Sequence, residues 1–406
     1  MKKNILVGQS GGPTAVINSS LYGVLVEGKA HPEMIDQVLG MINGINGLLE
    51  DRIMNLSDLP EDKAILLRTT PAAYLGSCRY KLPSDLTDPV YPVIFEKLQQ
   101  YNIGYFLYIG GNDSMDTVSK LSRYGATIDS DIRFIGVPKT IDDDLIMTDH
   151  TPGYGSAAKF VASMVRQMVL DAEVYNTRSV NIIEIMGRAA GWLTAASVLA
   201  RKFEGDNPAM IYLPETDFDI EDMLVKLKAL IDQKKNVVLC VSEGIHDKDG
   251  KLICEYEQEV STDVFGHKNL TGSGKTLENI IKARLGVKVR SVELNITQRS
   301  NAIEASLTDV NEAQSCGQEG VKLALKGETG LMVSMQRISN APYTIGYRGV
   351  DVNLVCNQEK MVPQEWITNE GTDIGPEFIE YARPLIMGES LPPMENGLPV
   401  LLYRKY

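Results

Sequence analysis

Short apolar runs recur along this chain, each followed by a loop of glycines or acidic residues and then by a stretch with helical spacing. Residues 4–7, 105–109, 134–137, 180–185, 210–213, 236–241 and 287–296 are such runs, and their length reads as strand. Residues 15–27, 115–124, 151–170, 192 to about 201, and 276–285 have the spacing of helices. Strand, loop and helix in that order define an α/β protein, and open α/β sheets take their ligands at the loops leaving the C-terminal ends of strands. Pro152 and Gly153, near the start of residues 151–170, mark the passage from one lobe into another, with a boundary near Gly153.

The loop at residues 138–145, PKTIDDDL, concentrates the most chemistry. Three consecutive carboxylates, Asp142, Asp143 and Asp144, repel one another and need a divalent cation or hydrogen-bond donors to neutralise them if they are buried. Lys139 adds a compact positive charge and Thr140 a hydroxyl, so base, metal ligand and phosphate contact are available together. A solvated acidic turn has the same composition. Two glycine loops repeat one design. Gly8 to Thr14 follows the first strand, and Gly110-Gly111-Asn112-Asp113-Ser114 follows residues 105–109; a helix comes after each. In the first, Gly11 and Gly12 let backbone amides approach an anion at a helix start, although glycine turns without a ligand are common. With PKTIDDDL these loops make a set able to surround one polyphosphate. Arg79 follows a Gly-Ser turn in an aperiodic region and reads, alone, as a surface arginine.

In the second half, Met186-Gly187-Arg188 ends a strand, and a carboxylate or phosphate is the natural partner of Arg188 there. Glu215 and Glu243 also sit at strand ends; Glu243 suits sugar hydroxyls, and both equally suit capping of a following helix. Residues 272–276, GSGKT, imitate the tail of a P-loop, but the pattern needs glycine where this chain has Asn269, and residues 261–270 are too polar for a preceding strand. A surface loop leading into a helix is the better reading. Arg290 lies near the start of the last run, with Gln298 and Arg299 after its end.

Composition narrows the partners. At 406 residues with 44% hydrophobic content the chain suits two α/β lobes rather than one. A formal net charge of −13 disfavours nucleic acid or an anionic membrane, so an anionic substrate must meet local cations. Five scattered cysteines without CxxC spacing read as reduced packing residues. The first residues turn into glycines after a short apolar run, and no apolar stretch has membrane-spanning length, which together suggest a cytoplasmic protein.

Taken together, GQSGGPTAVIN, GSCR, GGNDS, PKTIDDDL, MGRAAGW, SEG and QR, in this order over most of the chain, resemble the 6-phosphofructokinases, and more closely their pyrophosphate-dependent branch. The resemblance implies two Rossmann-like α/β lobes of phosphofructokinase type with the active site between them. Residues 1–153 plus about 298–350 would bind the phosphoryl donor, and residues 154–297 plus about 351–406 the sugar phosphate. It implies pyrophosphate and fructose 6-phosphate as substrates, Mg2+ as cofactor and a homodimer or homotetramer. Carried over by position, Asp142 is the base for the sugar 1-hydroxyl, Thr140 contacts the transferring group and Asp144 holds magnesium with Asn112. Arg79 and Arg188 lie near the phosphoryl group; Met186, Gly187, Glu243, Arg290 and Arg299 bind the sugar phosphate. Arg178 matches, one residue out of register, an arginine that reaches a neighbouring subunit's site.

Three departures from the family pattern, and two differences from its ATP-using members, carry expectations. Asp143 replaces the asparagine of TIDND and would put an extra negative charge beside the metal. Asn112 replaces an aspartate and ligates only as a neutral carbonyl. Ile296 stands where many relatives have a sugar-phosphate-binding histidine, leaving that phosphate to Arg290 and Arg299. ATP-using relatives typically have glycine at the places of Asp113 and Lys139. Here Asp113 would fill and repel the α-phosphate space, and Lys139 would hold the terminal phosphate of pyrophosphate. The plainer alternative has Asp113 capping its helix and Lys139 neutralising Asp144. An ATP-dependent sugar kinase needs room for adenosine; a non-catalytic sensor has no need of Asp142 as a base.

Overall fold

The computed structural model describes residues 2–256 and 272–404. The apolar runs become strands of two separate sheets. The first holds β1 (Lys3–Gln9), β2 (Ile35–Met41), β3 (Ile53–Asn55), β4 (Ile103–Gly110) and β5 (Arg133–Pro138). The second holds β6 (Ser179–Ile185), β7 (Met210–Tyr212), β8 (Asn236–Ser242) and β9 (Lys288–Glu293). The chain then returns to the first sheet with β10 (Leu331–Asn340) and β11 (Tyr343–Asp351), giving the orders β11-β10-β5-β4-β1-β2-β3 and β7-β8-β6-β9. The second sheet is wholly parallel, whereas the first is parallel except at its edges, where β3 and β11 pair antiparallel.

Parallel strands buried on both faces need apolar side chains pointing both ways, which explains solid runs rather than alternation. In β6, Val180 and Ile182 face a core with Leu227 and Leu277, while Ile183 and Ile185 face one with Phe160, Trp192 and Phe378. One face of the first sheet is covered by helices Ile17–Lys29 and Leu307–Leu325, the other by Val90–Gln100 and Asn112–Thr127 with Phe95, Phe106 and Phe134. Burial of each of these phenylalanines contributes roughly 1.5–3 kcal/mol. The first two helices approach so closely that a Cβ on Gly317 would lie 2.0 Å from the Ser20 carbonyl oxygen.

Two boundaries differ from the pattern-based reading. Strand β9 stops at Glu293, and Thr297–Ser300 forms a short helix, so Asn295 and Ile296 belong to a turn rather than to the sheet. The division of the C-terminal part at residue 351 also shifts. Val352 and Val355 still pack in the core of the first sheet, Val362 to Leu385 pack against the second, and Leu402 returns to the first, its amide donating to Thr70 Oγ1 at 2.9 Å. This tail therefore crosses between the sheets twice.

Candidate active site

The loops at the C-terminal ends of β1, β4 and β5 face those following β6, β8 and β9 across a cleft of about 720 Å³. Gly11, Gly12, Arg79, Asp113, Lys139, Thr140, Asp142, Asp144, Met186, Arg188, Glu243 and Arg299 all line it. Sequence positions as distant as Gly11 and Arg299 meet because each sheet presents the C-terminal ends of its parallel strands on one edge and the two edges face each other. Gly11 has φ +77°, and a Cβ there would lie 3.2 Å from Lys139 Nζ, while one on Gly12 would lie 3.0 Å from Arg299 Nη1. The glycines thus let two cations approach the loop backbone.

Lys139 is only 3% exposed and donates to the Gly12 carbonyl at 2.6 Å. Burial pulls its pKa down to about 8, against the pull of Asp142 and Asp144. Thr140 Oγ1 accepts from the Asp142 amide at 3.1 Å and donates to its carboxylate at 3.3 Å, which orients the side chain. Burial raises the pKa of Asp142, with Lys139, Arg188 and Arg299 working in the opposite direction. Asp144 is pushed up to about 7 by burial and by Asp142, and Glu243 to about 8 chiefly by burial. Burial likewise lowers the pKa of Arg299. A buried cleft in which both signs of charge are strained has the electrostatics of a site that awaits a charged ligand.

Asp143 does not stand beside its neighbours. Its φ of 57° is left-handed, a conformation aspartate tolerates, and turns the side chain into the interior, where it is fully buried. There it accepts from the Thr151 amide at 2.9 Å and from the Tyr381 hydroxyl, with Lys360 Nζ 3.4 Å away. The expectation of an added charge beside a metal is therefore corrected: the charge is spent inside the fold. Asp113 is exposed in the first turn of helix Asn112–Thr127, whose N-cap is Gly111 without a side-chain cap, so the capping alternative for Asp113 does not hold.

For magnesium, the donor set is sparse but of the right kind. Among the described residues no group of three or more His, Cys, Asp or Glu side chains is arranged to hold a metal ion. Asn112 Oδ1 and Asp144 Oδ1, however, are both buried oxygens without a hydrogen-bond partner, although Asn112 Nδ2 donates to the Gln358 carbonyl at 2.9 Å. Magnesium in phosphoryl-transfer sites commonly takes one or two protein oxygens and completes its shell with phosphates and water, which this pair fits.

Gly187 supports the cleft rather than lining it, its amide donating to Glu243 Oε1 at 3.3 Å. Arg178 and Arg290 are not brought into the cleft. Arg178 is exposed and pairs with Asp232 at 2.9 Å. Arg290 is exposed on β9, where Val289 takes the inward position, and stands in register with Asn181 on the neighbouring strand. Glu215 neither caps a helix nor faces ligand: its Oε1 accepts from the amides of Gly191 and Val362, and Asp219 caps the following helix. At residues 272–274 the amides of Gly272 and Gly274 donate to the Glu184 carboxylate at 3.1 and 2.7 Å, so the chain's own carboxylate fills the place an anion would take; Asn269 and residues 261–270 lie outside the described residues. Ser10, Asn295 and Glu359 line the cleft without having been anticipated; no periodicity or spacing marks Glu359, which reaches it from the irregular C-terminal tail.

Glycine loops, buried carboxylates and converging cations between two α/β sheets are the parts of a phosphoryl-transfer enzyme. The family profile "Phosphofructokinase" matches residues 4–324, and the chain belongs to that family. It is 38% identical over 399 residues to the pyrophosphate–fructose 6-phosphate 1-phosphotransferase of Halomonas elongata, covering 98% of this chain and 94% of that one. The enzyme of the same name from Xanthomonas campestris pv. campestris is 39% identical over 400 residues, with 98% and 94% covered. The solved structure of a pyrophosphate-dependent phosphofructokinase from Marinobacter aquaeolei superposes with a TM-score of 0.89 at 36% identity, covering 98% of this chain and 95% of that one. Among the described residues no helix is long and apolar enough to cross a membrane.

Proposed function

We propose that the chain transfers a phosphoryl group reversibly from pyrophosphate to the 1-hydroxyl of fructose 6-phosphate, with Mg2+, as a cytoplasmic step of glycolysis and gluconeogenesis. The observation that carries this reading is the buried Lys139 ammonium beside the Gly11-Gly12 loop and the Asp142 carboxylate, with Asp113 on the same cleft. A desolvated ammonium there is favourable only with an anion against it. Relatives sharing over a third of their residues with this chain along nearly its whole length carry the pyrophosphate name, which supports the same donor.

Phosphoryl transfer needs alignment and charge neutralisation more than covalent help. Lys139 holds the terminal phosphate, Arg79 and Arg188 spread charge from the transferring group, and Thr140 contacts it. Asp142 accepts the proton of the attacking 1-hydroxyl; its raised pKa makes it a better base than an ordinary carboxylate. Asn112 Oδ1 and Asp144 Oδ1 would hold magnesium, which would supply further positive charge to the phosphate oxygens. Met186, Gly187, Glu243 and Arg299 hold the sugar phosphate. Arg178, outside its own cleft, serves the cleft of a second copy in a homodimer or homotetramer. The test is a donor panel with fructose 6-phosphate at saturating magnesium. Pyrophosphate is expected to give much the higher kcat/KM; an equal or higher value with ATP overturns the reading.

A further inference from the structure

We propose that residues 358–362 form a strap that sets the geometry of the cleft, with Lys360 as a positioning residue for the reaction. The inference rests on the phosphotransfer reading of the cleft and adds to it a part of the chain beyond the matched family region, which ends at residue 324. The strap ties together loops from both sheets. On the donor side, the Gln358 carbonyl accepts from Asn112 Nδ2 at 2.9 Å. At the catalytic loop, the Lys360 amide donates to the Asp144 carbonyl at 2.7 Å, and its Nζ donates to the Asp149 carbonyl at 2.7 Å and stands 3.4 Å from Asp143. On the sugar side, the Lys360 carbonyl accepts from Trp192 Nε1 at 2.8 Å, with the ammonium 4.7 Å from the indole ring centroid.

The physical content lies in Asp143. A fully buried carboxylate in a left-handed turn holds only while its partners do, and Lys360 is its ion-pair partner, with the His150 imidazolium a second attraction. Asp142 and Asp144 flank it on one short backbone stretch, so any movement of Asp143 is transmitted directly to the base and to the candidate magnesium ligand. Because Lys360 also holds Trp192, just after the loop that carries Arg188, it fixes the two halves of the cleft relative to each other. A displacement of about 1 Å in such a site costs on the order of 100-fold in rate.

Lys360→Met keeps the stem and removes the ammonium. The expected result is a kcat lower by about 10–100-fold with the KM for fructose 6-phosphate within about twofold, whereas a purely structural role would lower Tm and leave kcat alone. Amide hydrogen exchange in residues 140–145 should quicken by about tenfold or more, while that of β4 is unchanged. In the double variant Lys360→Met with Asp143→Asn the stranded charge is gone, and at least about tenfold of the lost kcat should return. An unchanged kcat and unchanged exchange in Lys360→Met overturn the proposal, as does a double variant no better than the single one. Should Lys360→Met fail to fold, Trp192→Phe, which removes the N–H donated to the Lys360 carbonyl together with part of the buried indole ring, is read in the same way. A three- to tenfold fall in kcat with faster exchange is then expected, and no change in either refutes the strap. If the wild type transfers no phosphoryl group, the functional reading fails, while the exchange measurement still decides the strap.

Discussion

Replacing Lys139 by methionine keeps most of the buried volume and removes one positive charge from the donor side of the cleft. The ammonium is 3% exposed, its hydrogen bond goes to the neutral Gly12 carbonyl, and burial has lowered its pKa to about 8. Without a donor it is therefore poorly compensated, and its pairing with a pyrophosphate oxygen is a charged hydrogen bond in a water-poor site, worth about 1.5–3 kcal/mol. Converted at 1.4 kcal/mol per decade, Lys139→Met should lower kcat/KM for pyrophosphate roughly 10–150-fold and leave the KM for fructose 6-phosphate nearly unchanged. The pH dependence has a definite sign. Lys139 is cationic below about 8 and loses its charge above, so the wild-type KM for pyrophosphate should rise as pH climbs through that value and beyond. In the methionine variant that rise should vanish. The assay is initial rate against pyrophosphate at saturating magnesium and sugar phosphate, at several pH values from 6.5 to 9.5. A variant within about threefold of wild type in kcat/KM, or one that keeps the alkaline rise, would falsify the assignment.

Asp142→Ala should cut kcat by roughly 10²–10⁴-fold with little change in substrate binding; a variant that retains half the wild-type kcat, with chemistry limiting, would remove Asp142 as the base. Asp113→Gly should improve kcat/KM for ATP about fivefold, the worth of relieving about 1 kcal/mol of repulsion between exposed like charges, and an unchanged ATP rate would show that Asp113 does not govern the donor. His150 is buried between Asp149 and Glu312, at 2.8 and 2.7 Å; burial opposes its charge, but the two carboxylates prevail and raise its pKa from 6.5 to about 10. Because the folded value is the higher one, its stabilisation is complete below about 6.5 and lost as pH rises through about 10. The Tm gap between wild type and His150→Gln should thus be widest at acid pH and shrink toward pH 10, and a gap that grows with pH would contradict the ion-pair account.

Much of this molecule is determined locally. Solid apolar runs make two-faced strands wherever they occur, and a glycine or acidic loop after such a run lies at a strand's C-terminal end, so the Gly11, Asp113, Lys139 and Asp142 loops could be placed on one sheet edge from residue pattern alone. What the pattern leaves open is direction and partnership. Whether Asp143 points toward the cleft or into the fold depends on a left-handed φ and on Lys360 and Tyr381, more than 200 positions away. Whether Gly272 and Gly274 offer amides to a ligand depends on Glu184, on a different strand, and the exposure of Arg290 outside the cleft depends on which face β9 turns to the core. The irregular tail is the extreme case. Gln358 to Val362 carries no period and no motif, because its role is set by backbone carbonyls and amides that meet other loops only once both sheets are assembled.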